Sequence, residues 1–485
     1  MTLMDTDLWT GKLFVGAWVD GGGGTAPVIE PATGSQLAEI GVASQSDVDR
    51  AAQQAAEAQH DWAKRHPEDR AAILRRAGDL WEQHAEEIQN WIIREGGSIP
   101  PKAALETHIA AGECYEAAAL PSHPHGDVLT SNEDRWSFAR RLPAGVVSVI
   151  APFNFPLILS IRSVAPALAL GNAVLLKPDL RTAVGGGVAL VRIFEEAGLP
   201  PGLLQLLPGG VEIGKAVVAH PLVRIVSFTG STAAGRQVGE LAARHLKRAH
   251  LELGGKNALI VLPGADLTAA VSAGAFGSFM HQGQICMATG RHLVHESIHD
   301  EYVAALADTA IHLPVGDPTT PGIALGPIID ANQVARIDTI VQSTISKGAR
   351  LAAGGTFDHL FYQPTVLAEL RPDMPAWTDE IFGPVAPVLP FGTIEEAIAL
   401  ARDTQYGLSL GILGDVGTAM KIADAIPSGK IHINEQTVSD EANSPFGGVG
   451  SSGNGSRFGG ATANIDAFTE TQWLTMRPEI APYPF

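Results

Sequence analysis

Three side chains of this sequence have the types that covalent chemistry at a carbonyl group requires. Cys286 stands in "GQICMATGR", Glu252 in "RAHLELGGKN" and Asn154 in "APFNFP". A cysteine thiolate attacks a carbonyl carbon, and an amide N–H can stabilise the oxyanion that forms. A carboxylate set among leucines has a raised pKa, which suits a general base. These three residues are therefore candidates for a catalytic centre.

Each of the three residues also has an ordinary structural explanation. A free cysteine is often an inert hydrophobic residue of the core, and an asparagine before a helix often caps it. Glu252 could form a structural ion pair with a neighbouring lysine or arginine. The catalytic interpretation therefore depends on whether the fold brings the three side chains together.

Short apolar runs alternate with helical stretches between residues 145 and 262, as in "GVVSVIAP", "AVLLKP", "LLQLLPG", "VRIVSFTG" and "NALIVLP". This alternation predicts a parallel α/β sheet of buried strands, whose ligands bind beyond the carboxyl ends of the strands. Lys177, Gly209, Gly230 and Ser231 lie at those ends, so they are candidate cofactor residues. Free amides at the start of the helix after Ser231 can bind a phosphate group.

A nucleotide-type sheet, a cysteine, an amide donor and a carboxylate together are the parts needed to oxidise an aldehyde through a thioester. A second α/β run extends over about 253–440, and its helical stretch 267–282 leads directly into Cys286. Upstream, residues 46–93 are predicted to be helical, with Ser46 as the cap. The final segment "AFTETQWLTMRPEIAPYPF" could be an edge strand that pairs with another subunit.

The overall composition limits the classes of protein. A chain of 485 residues should form two or three domains, and its net charge of −19 disfavours nucleic-acid binding. The apolar stretch "PLILSIRSVAPALALGNAVLLKP" is too interrupted to span a membrane, and the N-terminus lacks a signal-peptide pattern. The two cysteines, Cys114 and Cys286, form no disulfide framework. We therefore expect a cytoplasmic protein with no nucleic-acid, membrane or metal partner.

The order of several motifs carries a family resemblance. "LELGGKN" is followed some thirty residues later by "GQICMATGR", and "PFNFP", "GNAVLLKP", "SFTGST", "EIFGPV" and "SPFGGVGSSG" accompany them. In this order, from about residue 25 to the end, the chain resembles the aldehyde dehydrogenase superfamily. The resemblance implies that Cys286 is the nucleophile and Glu252 the general base. Asn154 and the backbone N–H of Cys286 would form the oxyanion hole.

The same resemblance implies a site for NAD. Lys177 and Glu380 would hold the two riboses of the cofactor, and Phe382 would lie near the nicotinamide. Gly230 and Ser231 would lie at the pyrophosphate.

The resemblance also implies three structural parts in an α/β fold of the aldehyde dehydrogenase type. Residues 1–120 and 144–252 would form an NAD(P)-binding domain with a Rossmann-type parallel sheet, and residues 253–440 an α/β catalytic domain. Residues 121–143 and 465–485 would form a small β bridging element. Such an element implies a homodimer or homotetramer.

The stretch "KPDLRT" departs from the commoner family pattern near the adenosine ribose. A carboxylate there selects NAD over NADP, but Leu180 occupies its position. Asp179 should point to the other side if the strand continues, and Arg181 is close enough in sequence to pair with a 2′-phosphate. We therefore expect NAD to be used, with NADP accepted better than in members that keep the carboxylate.

The stretch "NFPLILSIRSVAPALALGNAVLLKPD" is most similar to benzaldehyde and vanillin dehydrogenases of the superfamily. We therefore expect an aromatic aldehyde as substrate, with Phe155 and Phe446 as flat apolar walls. Ile285 and Arg162 are the other predicted substrate residues. Arg162 would either bond a ring hydroxyl or methoxy group or form an ion pair on the helix surface.

Other functions remain open at this stage. The chain could oxidise an aliphatic aldehyde or a semialdehyde, or transfer the acyl group to coenzyme A. Glu252 argues against coenzyme A, because hydrolysis needs a base and transfer to a thiol does not. A catalytically silent structural member of the fold is the non-enzyme alternative, and the presence of Cys286, Asn154 and Glu252 together argues against it.

Overall fold

A computed structural model describes residues 2–485 of the protein. Its helices are numbered in chain order: α1 (Thr6–Trp9), α2 (Gln45–Lys64), α3 (Pro67–Gln83), α4 (Ala85–Gly96), α5 (Pro100–Ala119), α6 (Pro156–Ala169), α7 (Ala189–Glu196), α8 (Val211–Ala219), α9 (Thr232–Arg244), α10 (Leu267–Phe279), α11 (His299–His312), α12 (Ala331–Ser346), α13 (Pro375–Thr378), α14 (Ile394–Arg402), α15 (Val416–Ala425) and α16 (Ala461–Phe468).

The strands up to residue 252 are β1 (Lys12–Phe14), β2 (Trp18–Asp20), β3 (Thr25–Ile29), β4 (Gln36–Gly41), β5 (Gly126–Val128), β6 (Trp136–Pro143), β7 (Val146–Ile150), β8 (Ala173–Lys177), β9 (Leu204–Leu206), β10 (Val223–Thr229) and β11 (Arg248–Glu252). The later strands are β12 (Asn257–Val261), β13 (Thr289–His295), β14 (Arg350–Ala353), β15 (Phe357–Asp358), β16 (Phe361–Tyr362), β17 (Thr365–Ala368), β18 (Val385–Phe391), β19 (Tyr406–Gly407), β20 (Ser409–Leu413), β21 (Lys430–Ile433), β22 (Val449–Gly450) and β23 (Thr469–Met476).

The first large sheet has the strand order β11-β10-β7-β8-β9-β1-β2. The strands from β11 to β9 are parallel, and β1 joins β9 in the antiparallel sense. All five residues of β7 are buried, as expected for a strand that helices cover on both faces. Four of the five predicted apolar runs lie in this sheet.

The second large sheet has the order β14-β17-β18-β13-β12-β20-β21 and is parallel except for the β14–β17 pair. The fifth predicted run, "NALIVLP", is β12 of this sheet rather than a strand of the first one. The chain crosses between the sheets through Leu253–Lys256, so Glu252 ends the last strand of one sheet and Asn257 begins a strand of the other. This crossing places the carboxyl end of the first sheet beside the second sheet.

A three-stranded antiparallel sheet with the order β23-β6-β5 joins the end of the chain to its middle. Eight residue pairs link β23 to β6, from Thr469 opposite Pro143 to Met476 opposite Trp136. The final segment is therefore an edge strand, as predicted. The strand with which it pairs, β6, belongs to the same chain.

The first helical region differs from its prediction in detail. Residues 46–93 are helical as predicted, in three helices with breaks before Pro67 and Ala85. The cap is Ser44 and not Ser46, because the Ser44 hydroxyl accepts from Asp47 N–H while the Asp47 carboxylate accepts from Ser44 N–H. This reciprocal capping box satisfies two backbone donors at once. None of the helices in residues 2–485 has the length and apolar character needed to cross a bilayer.

Candidate active site

Cys286 lies in a loop that hydrogen bonds hold on both sides. The loop follows α10, and His281 and Gln282 take left-handed backbone angles with φ of 48° and 55°. The Gln282 side chain donates to the carbonyl oxygens of Gly97 and Pro327, at 3.0 and 2.9 Å. On the other side, Asn257 Nδ2 donates to the Cys286 carbonyl oxygen at 2.8 Å. The position of the thiol is therefore set by contacts from several parts of the chain.

The environment of Cys286 disfavours its thiolate. Burial raises the pKa of the Cys286 thiol to about 12, the Glu380 carboxylate raises it further, and the Lys430 ammonium opposes them. Judged by its exposed surface, Cys286 is nevertheless only partly buried, whereas Cys114 is fully buried inside α5. Of the two cysteines, only Cys286 can meet a ligand without unfolding, and its activation requires added positive charge or amide donors near Sγ.

Asn154 approaches the cysteine loop from the first sheet. It lies in the turn between β7 and α6, and its Nδ2 donates to the Gln284 carbonyl oxygen at 2.9 Å. A carboxamide has two N–H donors, and the bond to Gln284 uses one. The other can donate to an oxygen of a substrate bound at Cys286.

Glu252 is a deeply buried carboxyl group at the end of β11. Its side chain is 2% exposed, and within residues 2–485 neither carboxylate oxygen accepts a hydrogen bond of ordinary geometry. Burial raises its pKa well above the usual range, although the guanidinium groups of Arg162 and Arg457 oppose this. The antiparallel bridge between Glu252 and Gly453 fixes the backbone here. A carboxyl group with a raised pKa binds a proton more tightly than an exposed glutamate does, which suits a general base.

The carboxyl ends of the first sheet fit a dinucleotide. Gly230 and Ser231 precede α9, and the Ser231 hydroxyl accepts from the Ala234 N–H. A Cβ at Gly230 would lie 2.7 Å from the Phe228 ring, so only glycine allows this close turn. Gly209 lies just before α8. Two helix N-termini therefore point to one edge of the sheet, which suits a pyrophosphate.

Lys177 and Glu380 provide one positive and one negative group beside the ends of strands of the first sheet. Lys177 ends β8, and its ammonium donates to Pro178 O at 3.3 Å, while burial lowers its pKa. Glu380 Oε1 accepts from Gly255 N–H at 3.0 Å. Phe382 has a φ of 56°, and its ring lies edge-on to Phe153 with centroids 5.8 Å apart. An ammonium donates to a hydroxyl group and a carboxylate accepts from one, so both side chains could bind ribose hydroxyl groups.

The Arg181 guanidinium is paired with two carboxylates of the protein. Its guanidinium donates to Asp179 at 2.8 Å and to Asp330 at 2.6 Å, and it lies 4.3 Å from the Phe153 ring centre. The sequence interpretation left Arg181 free to pair with a 2′-phosphate, and the structure instead gives it two carboxylates. Leu180 packs against the hydrophobic core that includes the strands of the first large sheet.

An apolar cavity of about 180 Å³ opens beside the thiol. All four predicted substrate residues line it together with Cys286 and Asn154: Phe155, Arg162, Ile285 and Phe446. The sequence prediction of a surface ion pair for Arg162 is wrong in its location, since the side chain is 3% exposed.

The partners of Arg162 were missed by the sequence interpretation. Its guanidinium pairs with Asp440, lies 3.7 Å from Glu113, and sits 4.6 Å from the Phe446 ring centre. Lys430 lies 4.5 Å from the same ring and 3.7 Å from Asp440. A buried arginine needs a carboxylate, but sequence spacing does not say which one. In the described part of the chain, no group of three or more His, Cys, Asp or Glu side chains is arranged to hold a metal ion.

Comparison with known proteins adds to this geometry. The model of the "Aldehyde dehydrogenase family" matches residues 18–474. A vanillin dehydrogenase of an Amycolatopsis species is 63% identical over 486 residues, which cover 100% of each chain. A benzaldehyde dehydrogenase [NAD(+)] of Pseudomonas putida is 48% identical, with 99% of this chain and 98% of the relative covered.

Solved structures agree with these sequence matches. The betaine aldehyde dehydrogenase of Staphylococcus aureus in complex with NAD+ superposes with a TM-score of 0.94 at 28% identity. The superposition covers 99% of this chain and 97% of the other. The chain belongs to the aldehyde dehydrogenase family. It is an oxidoreductase that acts on aldehydes, so the family and fold class predicted from the order of the motifs are confirmed.

Proposed function

We propose that the protein oxidises an aromatic aldehyde of the benzaldehyde or vanillin type to the carboxylic acid, with NAD as cofactor. The observation that carries this proposal is the apolar cavity between Phe155 and Phe446, with Cys286 and Asn154 in its lining. Flat aromatic side chains suit an aromatic ring. The names of the two similar dehydrogenases, and of the NAD+ complex, support the same choice.

Cys286 and Asn154 carry out the first step of the proposed reaction. The Cys286 thiolate attacks the carbonyl carbon, and the free N–H of the Asn154 carboxamide donates to the developing oxyanion together with the Cys286 backbone N–H. Each such donor typically contributes roughly 3–4 kcal/mol to transition-state stabilisation. Collapse of the oxyanion expels a hydride from the former carbonyl carbon and leaves a thioester on Cys286. NAD, which Lys177 and Glu380 would hold, would supply the hydride acceptor.

Glu252 carries out the second step. Its buried carboxylate takes a proton from a water molecule, which then attacks the thioester carbon and releases the acid. The raised pKa makes Glu252 a stronger base than an exposed glutamate. Hydrolysis of the thioester needs such a base, whereas transfer of the acyl group to coenzyme A does not.

The three parts of the chain divide these tasks in the proposal. Residues 1–120 and 144–252 bind the cofactor through Gly209, Gly230 and Ser231, while residues 253–440 carry the nucleophile. Both cysteines are free, and a thiol nucleophile must stay reduced, which fits the cytoplasm.

The proposed homodimer or homotetramer uses the three-stranded sheet. Val128, Trp136, Trp473 and Met476 on this sheet are more than half exposed, which is costly for a monomer in water. Light scattering of Trp136→Glu/Trp473→Glu should give a smaller species than wild type. The control Ile311→Glu, at an exposed position on α11, should keep the wild-type mass.

Steady-state kinetics test the substrate and the chemistry together. We expect NADH formation with a higher kcat/KM for benzaldehyde and vanillin than for hexanal, and no requirement for coenzyme A. A clear preference for hexanal would contradict the aromatic substrate. Strict dependence on coenzyme A would contradict hydrolysis by Glu252.

A further inference from the structure

Helix α5 brings a buried ion pair against the turn that carries Asn154. Lys102 is 1% exposed and Glu106 is 0% exposed, and they lie one helical turn apart with the ammonium donating to the carboxylate. Two charged groups at this depth are retained only where additional polar partners compensate for their lost hydration. The identity of those partners therefore indicates what the pair does.

Glu106 provides the missing cap of helix α6. Its Oε2 accepts from the backbone N–H groups of Leu157 and Ile158, at 3.0 and 3.3 Å. The residue in the cap position is Phe155, whose side chain has no acceptor, and Pro156 has no N–H. The carboxylate also places negative charge at the positive end of the helix. The start of α6, and hence the end of the Asn154 turn, depends on Glu106.

Lys102 holds the Asn154 peptide itself. Its Nζ donates to the Asn154 carbonyl oxygen at 2.7 Å and lies 4.4 Å from the ring centre of Phe155. That ring in turn contacts the ring of His281, edge to face, with centroids 5.4 Å apart. His281 belongs to the left-handed turn before Cys286. Lys102 therefore holds the backbone of Asn154, whereas the cysteine loop holds its side chain.

We propose that Lys102 and Glu106 are positioning residues that act through Asn154 and aim its carboxamide at the oxyanion formed on Cys286. The inference rests on the proposed function, because it concerns the attack of Cys286 on an aldehyde. Misplacing a donor by about 1 Å can cost on the order of 10²-fold in rate. The pair touches neither the thiol nor the reacting atoms, so its effect passes through Asn154.

A variant that removes both charges tests the proposal without leaving an unpaired buried ion. Lys102→Met/Glu106→Gln should lower kcat about tenfold or more, while the KM values for aldehyde and NAD change less than about threefold. In an Asn154→Ala background the same change should lower kcat less than about twofold, because the donor is already absent. An equal loss in both backgrounds would overturn the proposal.

Alkylation of Cys286 separates positioning from a general loosening of the site. The reaction of the thiol with iodoacetamide forms no oxyanion, so its rate in the double variant should match that of wild type. An alkylation rate that changes in parallel with kcat would overturn the proposal. Absence of NADH formation by the wild type contradicts the proposed function, whereas additive losses in the Asn154→Ala background contradict only the role of the pair.

Two further variants control for folding. Asp47→Asn alters another buried carboxylate that binds backbone N–H groups at a helix start, at Gly22 and Ser44, and it should leave kcat unchanged. Should the double variant fail to fold, Glu106→Gln alone keeps an acceptor for Leu157 and Ile158. It should show a smaller kcat loss that again disappears in the Asn154→Ala background. Persistence of that loss would overturn the proposal.

Discussion

The side chain of Asn154 donates a hydrogen bond of 2.9 Å to the carbonyl oxygen of Gln284, two residues before Cys286. Asn154 follows a strand of the first sheet, whereas Gln284 precedes a strand of the second sheet. One bond therefore connects the two sheets at the place where the proposed reaction occurs. Any relative shift of the sheets changes the direction of the carboxamide, which makes this contact a sensitive point of the site.

Replacement of Cys286 by alanine should lower kcat/KM for the aldehyde by about 10⁴-fold or more, because the nucleophile is lost. Cys114→Ala should keep wild-type turnover, since this thiol is buried within α5 away from the cavity lining. Both variants are assayed for NADH formation after circular dichroism has established that they are folded. Equal losses in two folded variants would exclude Cys286 as the nucleophile.

Glu252→Gln should form the thioester and release it slowly. The carboxamide cannot deprotonate water, whereas the thiol and Asn154, which form the thioester, are unchanged. Loss of a general base typically costs about 10²–10⁴-fold. Stopped-flow mixing should show a rapid burst of NADH followed by a slow steady state. Wild-type turnover without a burst would remove Glu252 from the mechanism.

The raised pKa of Cys286 predicts the pH dependence of its alkylation in the enzyme without cofactor. The thiolate is the reactive species, and below a pKa of about 12 its fraction increases about tenfold for each pH unit. The rate with iodoacetamide, measured in a Cys114→Ala background, should therefore rise steadily from pH 7 to 10.

A change of the neighbouring Glu380 carboxylate tests the same prediction in a second way. Glu380→Gln removes a negative charge that raises the thiol pKa, so the thiolate fraction at pH 8 should increase. Alkylation should then be several-fold faster than in the parent. Slower alkylation, or a rate independent of pH, would show that another group controls the thiol.

Leu180→Glu should reduce the use of NADP more than the use of NAD. A carboxylate near the adenosine ribose repels a 2′-phosphate and accepts from the hydroxyl groups of NAD. The kcat/KM ratio of NADP to NAD should fall about tenfold, which corresponds to about 1.4 kcal/mol. Because Arg181 is already paired with Asp179 and Asp330, we expect wild type to prefer NAD. An unchanged ratio in the variant would show that residue 180 does not face the ribose.

The strands of the first sheet were predictable because a parallel strand covered on both faces has an uninterrupted apolar sequence. Val146–Ile150 and Ala173–Lys177 are examples. The partners of Arg162 were not predictable. Glu113 and Asp440 come from distant parts of the chain, and only the folded packing selects them among the many carboxylates.

The contacts of the Lys102–Glu106 pair could be predicted from the sequence only in part. Its spacing of four residues predicts a contact along a helix, and that contact forms. Nothing in the spacing indicates that the ammonium reaches Asn154, because that bond depends on how α5 packs against α6. Local geometry is therefore encoded in local sequence, whereas the target of a buried charge is encoded in the fold.

The bridge between Glu252 and Gly453 has a consequence for the timing of protein synthesis. Residues near Gly453 leave the ribosome about 200 residues after Glu252, and at about 5–20 residues per second the delay is on the order of 10–40 s. Strand β23, which pairs with β6, is synthesised later still. A nascent chain that has just reached Cys286 therefore lacks the backbone partner of Glu252 and the strand that pairs with β6. A chain that stopped before Gly453 would carry the Glu252 carboxyl group without the backbone bridge that fixes the end of β11.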